Sequence, residues 1–154
     1  MNIIELRNRQ DISVDKKLSN IYFQFGELLR EIEKKELTLN IIESIKQDVQ
    51  EINSSSFKGN ELRKLVKQKQ TKILKHLEKG LKIVPKNHYR NIWLPVGMTA
   101  FGIPIGVAFG IVTNNMALLA IGFPFGMFFG TAIGSSLDKK AAYEGRQLDI
   151  EIKY

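Results

Sequence analysis

The chain contains no cysteine. That excludes a disulfide framework, a thiolate nucleophile, cysteine-based zinc spacing and lipid attachment through a thiol. Histidine is nearly as scarce: His76 and His88 are the only two, with no carboxylate at ligand spacing. Both read as polar surface or headgroup-level residues, and no metal is expected. The phosphate loop GxxxxGK[ST], the GxSxG elbow and the HExxH helix are all missing. The chain is therefore not expected to be an enzyme or to carry a cofactor. The last scarcity is positional. From Asn91 to Leu137 there is no Asp, Glu, Lys or Arg in 47 residues, although 25% of the whole chain is charged.

An uncharged apolar run of 18 or more residues reads as a transmembrane helix, and this one is long enough for two. The only polar cluster in its middle is Thr113-Asn114-Asn115. The spacing predicts spans over about 92–112 and 116–133, within a hairpin over 91–137. At 1.5 Å per residue the spans reach roughly 31 and 27 Å, close to the hydrocarbon thickness of a bilayer. A buried core hairpin of a soluble protein is the competing reading. A chain of 154 residues offers too little amphipathic partner surface to cover it.

What fills this run is glycine at a period of four: Gly102, Gly106 and Gly110, then Gly122, Gly126, Gly130 and Gly134. Glycine at that spacing makes a smooth groove on one helix face, where a second backbone can approach. The phrase Gly102-Ile-Pro-Ile-Gly106 returns as Gly122-Phe-Pro-Phe-Gly126. Folding the hairpin about Asn114 brings Gly106 level with Gly122, Gly102 with Gly126, and Pro104 with Pro124. The short turn makes the first two pairs contacts within one chain. Gly110, Gly130 and Gly134 then have no glycine opposite and are expected to serve contacts between copies. The two prolines read as devices that bend the helices together, each freeing a backbone carbonyl. A hinge or lined cavity is the alternative, disfavoured because no ionisable residue lies at that depth. Phe123, Phe125, Phe128 and Phe129 lie off the glycine stripe and face lipid or a neighbouring copy.

Charge is sorted along the chain. The formal net charge is +7. Residues 1–60 carry 9 basic and 10 acidic side chains, residues 61–90 carry 10 and 2, and residues 135–154 carry 4 of each. The excess thus sits just before the hairpin, and the turn has none. The positive-inside rule then places both termini in the cytoplasm. The stretch Met1-Asn-Ile-Ile-Glu-Leu-Arg7 has too short an apolar run for a signal peptide, so the first membrane segment is expected to be the hairpin.

Residues 1–90 read as a cytosolic helical module, a bundle or coiled coil of two to three amphipathic helices, giving an all-α fold class. Val14, Leu18, Ile21, Phe25, Leu28 and Ile32 form a heptad seam that Tyr22 and Leu29 widen. A second helix is expected from about Leu39 to Ile52, with Ile42, Ile45, Val49 and Ile52 on one stripe; the join near Lys35 to Asn40 has no Gly or Pro, so one continuous helix is also allowed. Asn53 to Gly59 is a loop. Asn60 is the expected N-cap of a third helix, with Glu61 in its first turn. Leu62, Leu65, Val66, Ile73, Leu74, Leu77 and Leu81 point inward, and Pro85 stops the helix. Residues 138–154 form a cytosolic C-terminal tail.

The third helix, a basic juxtamembrane segment over 61–84, is read with Arg63, Lys64, Lys67, Lys69, Lys72, Lys75, Lys79 and Lys82 on its outer face. Three readings compete: a solvated face obeying the positive-inside rule, a face resting on anionic headgroups, and a nucleic-acid or nucleotide surface. The lysine-rich composition with few interleaved aromatics disfavours the last. Tyr89 and Trp93 sit where an interfacial aromatic belt belongs.

The GxxxGxxxG runs, followed by Leu137-Asp-Lys-Lys and Glu144-Gly-Arg-Gln-Leu, resemble small bacterial glycine-zipper membrane-hairpin proteins over Gly97 to Leu148. The resemblance implies the bacterial inner (cytoplasmic) membrane and tight homo-oligomers, some of them pores. Two function classes follow. One is a membrane scaffold or interaction protein that oligomerises through its spans and presents the helical module to a protein partner, with membrane lipids around it. The other is a membrane effector of toxin or phage-defence type, whose hairpins assemble into a pore or disrupt the bilayer.

Overall fold

The computed structural model describes residues 5–7, 9, 12 and 15–153. Val14, read as the start of the first seam, lies outside them. Among the described residues all regular secondary structure is helical apart from an isolated bridge. The chain divides into two compact units: residues up to Pro85 together with Leu148 onward, and Lys86–Gln147.

The first unit is a three-helix bundle. Helix α1 spans Lys16–Glu33, and Asp15 caps it by accepting from the amides of Lys17 and Leu18. That satisfies two of the amides a helix start leaves open. The expected seam is buried from Leu18 through Ile21, Phe25, Leu28 and Ile32. The chain does not run on as one helix: Lys34 caps α1, and α2 begins afresh at Leu39 and ends at Ser54. The linker lets Leu37 turn onto the core, which a continuous helix would have carried away from it. Helix α3 spans Gly59–Leu81. Its N-cap is Lys58 rather than Asn60, and no side chain caps it. It closes with Lys82 in the left-handed region (φ 56°), whose amide donates to the Glu78 carbonyl at 3.1 Å. Leu62, Val66, Ile73, Leu74 and Leu77 enter the core, and Leu65 and Leu81 pack at its edge.

The tail completes this bundle and is not a separate appendage. Leu148 is 0% exposed and Ile152 7%, both inside the same cluster as Phe25 and Ile52. The Leu148 amide donates to the Val84 carbonyl at 2.9 Å. Gln24 exchanges two hydrogen bonds with the Lys153 backbone, and the Asp149 amide donates to Glu31 Oε2 at 3.2 Å. Burying Leu148 alone contributes on the order of 2 kcal/mol.

The second unit is a hairpin of two helices, each long and apolar enough to cross a membrane: α4, His88–Val112, and α5, Met116–Tyr143. The second is ten residues longer than the span over 116–133, because it continues through the charged segment after Leu137. Both carry irregular turns. Helix α4 has Pro95 inside it and a π-helical turn at Met98–Gly102. Helix α5 begins as a 3-10 stretch, Met116–Ile121. Pro104 and Pro124 stand in the first turn of the regular helix that follows each irregular stretch. A missing amide costs least there. The turn residue Asn114 takes φ 53°, a left-handed conformation Asn tolerates better than most residues.

Candidate functional site: a glycine seam and a basic face

The seam between α4 and α5 is built from missing side chains. A Cβ on Gly122 would lie 2.5 Å from the Gly106 nitrogen, and one on Gly126 would lie 2.9 Å from the Gly102 Cα. The levels anticipated from the turn thus meet. The glycines expected to stand without a glycine opposite are packed within the hairpin as well. Gly130 abuts the backbone of Trp93 and Leu94, and a Cβ on Gly134 would come 2.5 Å from the Arg90 Cα. Gly110 faces Met116 across the turn, with a Cβ falling 2.9 Å from Met116 Sδ. These three glycines are packed within their own hairpin. Gly130 has Gly97 opposite it, whereas Gly134 needs only the backbone of Arg90 there.

Two further residues belong to the seam, and the first escapes a period-four reading. Gly97 packs against Gly126 and Gly130, yet it is five residues before Gly102. On a regular α-helix five residues turn about 140° past a full turn, which would carry Gly97 off the face. The π turn at Met98–Gly102 is wider per turn and holds Gly97 on the seam. Asp138 extends the other stripe by one more step of four after Gly134. It is buried, and its two carboxylate oxygens accept from the amides of Tyr89 and Arg90 at 3.0 and 2.9 Å. Asn87, the N-cap of α4, offers no side-chain bond. A carboxylate borrowed from α5 thus caps α4 and opposes the positive end of its dipole.

Outside the seam the hairpin is bare. Val112 is 84% exposed and Phe128 67%, and Phe123, Phe125 and Phe129 are exposed as well. Phe101 and Phe129 touch across the two helices, ring centroids 5.5 Å apart. The threonine hydroxyls bond back to their own helix: Thr99 donates to the carbonyls of Pro95 and Val96, Thr113 to Phe109, and Thr131 to Met127 and Phe128. No hydroxyl of the three needs water.

The basic face belongs to the bundle. Lys64, Lys67, Lys72, Lys75, Lys79 and Lys82 are exposed and Arg63 half-buried. Lys69, read as outward, is instead buried on the inner side of α3, where it pairs with Asp48 at 3.1 Å and with Glu51. Position 69 follows Val66 by three and precedes Ile73 by four, which is the buried stripe. Asp48, 1% exposed, falls similarly between Ile45 and Ile52 on α2 and accepts from Lys72 at 2.9 Å as well. Burial pushes the Lys69 ammonium down, but its hydrogen bonds to Glu51 and Asp48 outweigh that, and its pKa is raised overall. On the tail side Glu144 is held below the usual carboxylate range by Arg146, which donates to it.

Two depressions mark the bundle. One, about 770 Å³, lies between α1, α3 and the tail, and its lining mixes Glu27, Glu31, Asp149 and Glu151 with Lys17, Arg63, Lys153 and Lys67, the last shared with the second depression. The other, about 610 Å³, lies along α3 and is lined by Lys67, Lys72, Lys75, His76, Lys79 and their neighbours, with no carboxylate residue among them. His76 Nδ1 stands 3.4 Å from the Ser44 hydroxyl. No group of three His, Cys, Asp or Glu among the described residues could hold a metal ion. Comparison with protein-family models, with curated proteins and with solved structures finds no match to this chain.

Proposed function

We propose that this protein is an integral membrane anchor that holds a helical interaction module at one membrane surface, with both termini in the cytoplasm. The observation that carries the reading is the apolar surface of the hairpin. Only 22% of the most apolar window of α4 and 17% of that of α5 are buried. A soluble protein seldom exposes so large a contiguous apolar surface, and lipid is the solvent that suits it. The threonine hydroxyls satisfied by their own helix and the uncharged run from Asn91 to Leu137 support the same environment. Connectivity supports the topology. The chain leaves the bundle at Pro85 and rejoins it at Leu148. An inserted hairpin therefore has both its ends on one side, and the excess of Lys and Arg assigns that side to the cytoplasm.

Presentation of the module, rather than formation of a pore, is favoured by the seam. The glycines are consumed in packing one helix against the other, and the span carries no ionisable group to line a pathway. Assembly of copies through these glycines is not part of the reading. A protein partner would meet the bundle, where Phe23 stands 69% exposed beside the mixed-charge depression.

The test uses the absence of native cysteine. Single cysteines replacing Asn114 and Lys153 are treated with a membrane-impermeant maleimide in intact spheroplasts. Labelling of position 114 alone is expected, with position 153 reacting only after lysis. Labelling of position 153 in intact spheroplasts, or of neither until lysis, would overturn the two-span topology.

A further inference from the structure

We infer that the carboxylate-free depression on α3 is a docking face for the anionic phospholipid surface of the membrane that holds the hairpin. The inference rests on the membrane reading above and adds a lipid class and a site.

The face is sorted by sign, not merely rich in lysine. The ten basic residues between positions 61 and 90 would satisfy the positive-inside rule in any arrangement. In the folded bundle they are divided. Lys69 is drawn inside to Asp48 and Glu51, and these two acids of α2 are thereby turned toward the ion cluster. Lys67, Lys75 and Lys79 are left on the outer face with Thr71 and His76 between them. They recur at intervals of four and eight along α3, which is one side of an α-helix. Hydroxyl, imidazole and ammonium donors over a shallow depression suit phosphate oxygens. The mixed-charge depression beside α1 has no such bias.

The tether supplies the membrane. Helix α3 ends at Leu81 and α4 begins at His88. Six intervening residues reach at most about 20 Å even when fully extended. The end of α3 is therefore confined near the headgroups of whatever bilayer holds α4, and its lysines meet anionic lipid at high effective concentration. A flat charged surface also explains why the face is shallow and carries no Phe, Tyr or Trp for stacking, which a nucleic acid would use.

The full chain is reconstituted into nanodiscs of phosphatidylcholine alone or mixed with phosphatidylglycerol. A spin label is placed on α3 at Gln68→Cys, with a second protein labelled in the α1–α2 linker at Glu36→Cys. The expected result is loss of accessibility to an aqueous relaxation agent at position 68 only, only in the anionic discs, reversed by high salt. Lys75→Gln and Lys79→Gln, both exposed, should each lower the docked fraction by about fivefold in equilibrium constant. Equal accessibility in both lipids overturns the inference. So does protection at both positions, or release of the label by an oligonucleotide at physiological salt. A third label at Phe109→Cys, quenched by brominated lipid chains, reports insertion separately. If that label is quenched while position 68 stays exposed, the docking face fails and the anchor stands. If it is not quenched, the membrane reading itself fails.

Discussion

The bundle and the hairpin solve the same problem with opposite materials. In the bundle, Phe25, Leu18, Leu28, Ile52 and Leu62 fill the centre with large side chains. Burial of that apolar area from water is the driving force. In the hairpin the buried positions are the glycines Gly97, Gly102, Gly106, Gly110, Gly122, Gly126, Gly130 and Gly134, with Asp138 and Ala141 beyond them, and the large apolar residues point out. Lipid gives no hydrophobic gain for hiding a phenylalanine, so association there depends on close backbone contact, van der Waals packing and weak Cα–H···O interactions. A glycine in each region thus has a different physical meaning. Gly26, in α1, has nothing within 4 Å of where its Cβ would be, while a Cβ on Gly126 would be 2.7 Å from the Gly97 oxygen.

The comparison breaks first at the seam. Gly126→Leu drives a side chain into the backbone of α4, which has no rotamer with which to yield. Overpacking a core usually costs about 1–3 kcal/mol, and here the loss should meet or exceed that and open the hairpin. Thermal denaturation in nanodiscs, with Trp93 fluorescence as probe, reads the effect; a wild-type curve would remove the seam from the account.

In the bundle the largest effect is expected at the tail. Leu148→Ala leaves a cavity in the bundle core and should cost roughly 2–5 kcal/mol. Chemical denaturation followed by circular dichroism would show it, with the hairpin unchanged. A loss below about 0.5 kcal/mol, within the range of ordinary surface substitutions, would mean that the tail is not part of the core.

The ion cluster should give a smaller, pH-dependent effect. Lys69 has a raised pKa, so it holds its proton to higher pH in the folded state than in the unfolded. Its contribution is whole below the ordinary lysine value of 10.5 and is lost as pH rises beyond it. Lys69→Met removes that alkaline loss. It leaves Asp48 with Lys72 alone, at a cost of roughly 1–3 kcal/mol near neutrality. An alkaline transition unchanged by the substitution would assign the loss elsewhere.

The smallest change carries the opposite sign. Gly26→Ala meets open space in a helix and should stabilise the bundle by about 0.5–1 kcal/mol. The same exchange at Gly126 destabilises, so the two measured side by side sharpen the contrast more than either alone.

Much of this was legible in the residues. The three amphipathic stripes, the uncharged run and the turn at Asn114 follow from periodicity and charge, because each rests on local pattern. The start of α2 at Leu39 follows from its own stripe, although nothing between Lys34 and Thr38 is a breaker and pattern alone allows a continuous helix; the core claims Leu37 and bends the chain. Lys69 was misread because its charge outweighed its position, although the spacing from Val66 to Ile73 puts it on the buried stripe. Asp138 was visible as the next step after Gly134, but its carboxylate was counted among the tail charges. Gly97 was hidden by the π turn, a local geometry that pattern reading at a fixed period cannot register. The tail's place in the core depends on contacts more than a hundred residues apart in sequence, which no local signal carries.

The central claim is that the glycine seam is closed within one chain. Its most direct test is the stability of Gly130→Ala beside the unaltered protein over a wide range of protein-to-lipid ratio, with the number of copies per nanodisc counted by single-molecule photobleaching. The account predicts that the hairpin of the variant melts lower by the same amount at every dilution, with the copy number untouched. A variant whose hairpin melts normally while the copy number falls would contradict it, and would return Gly130 to a surface between copies.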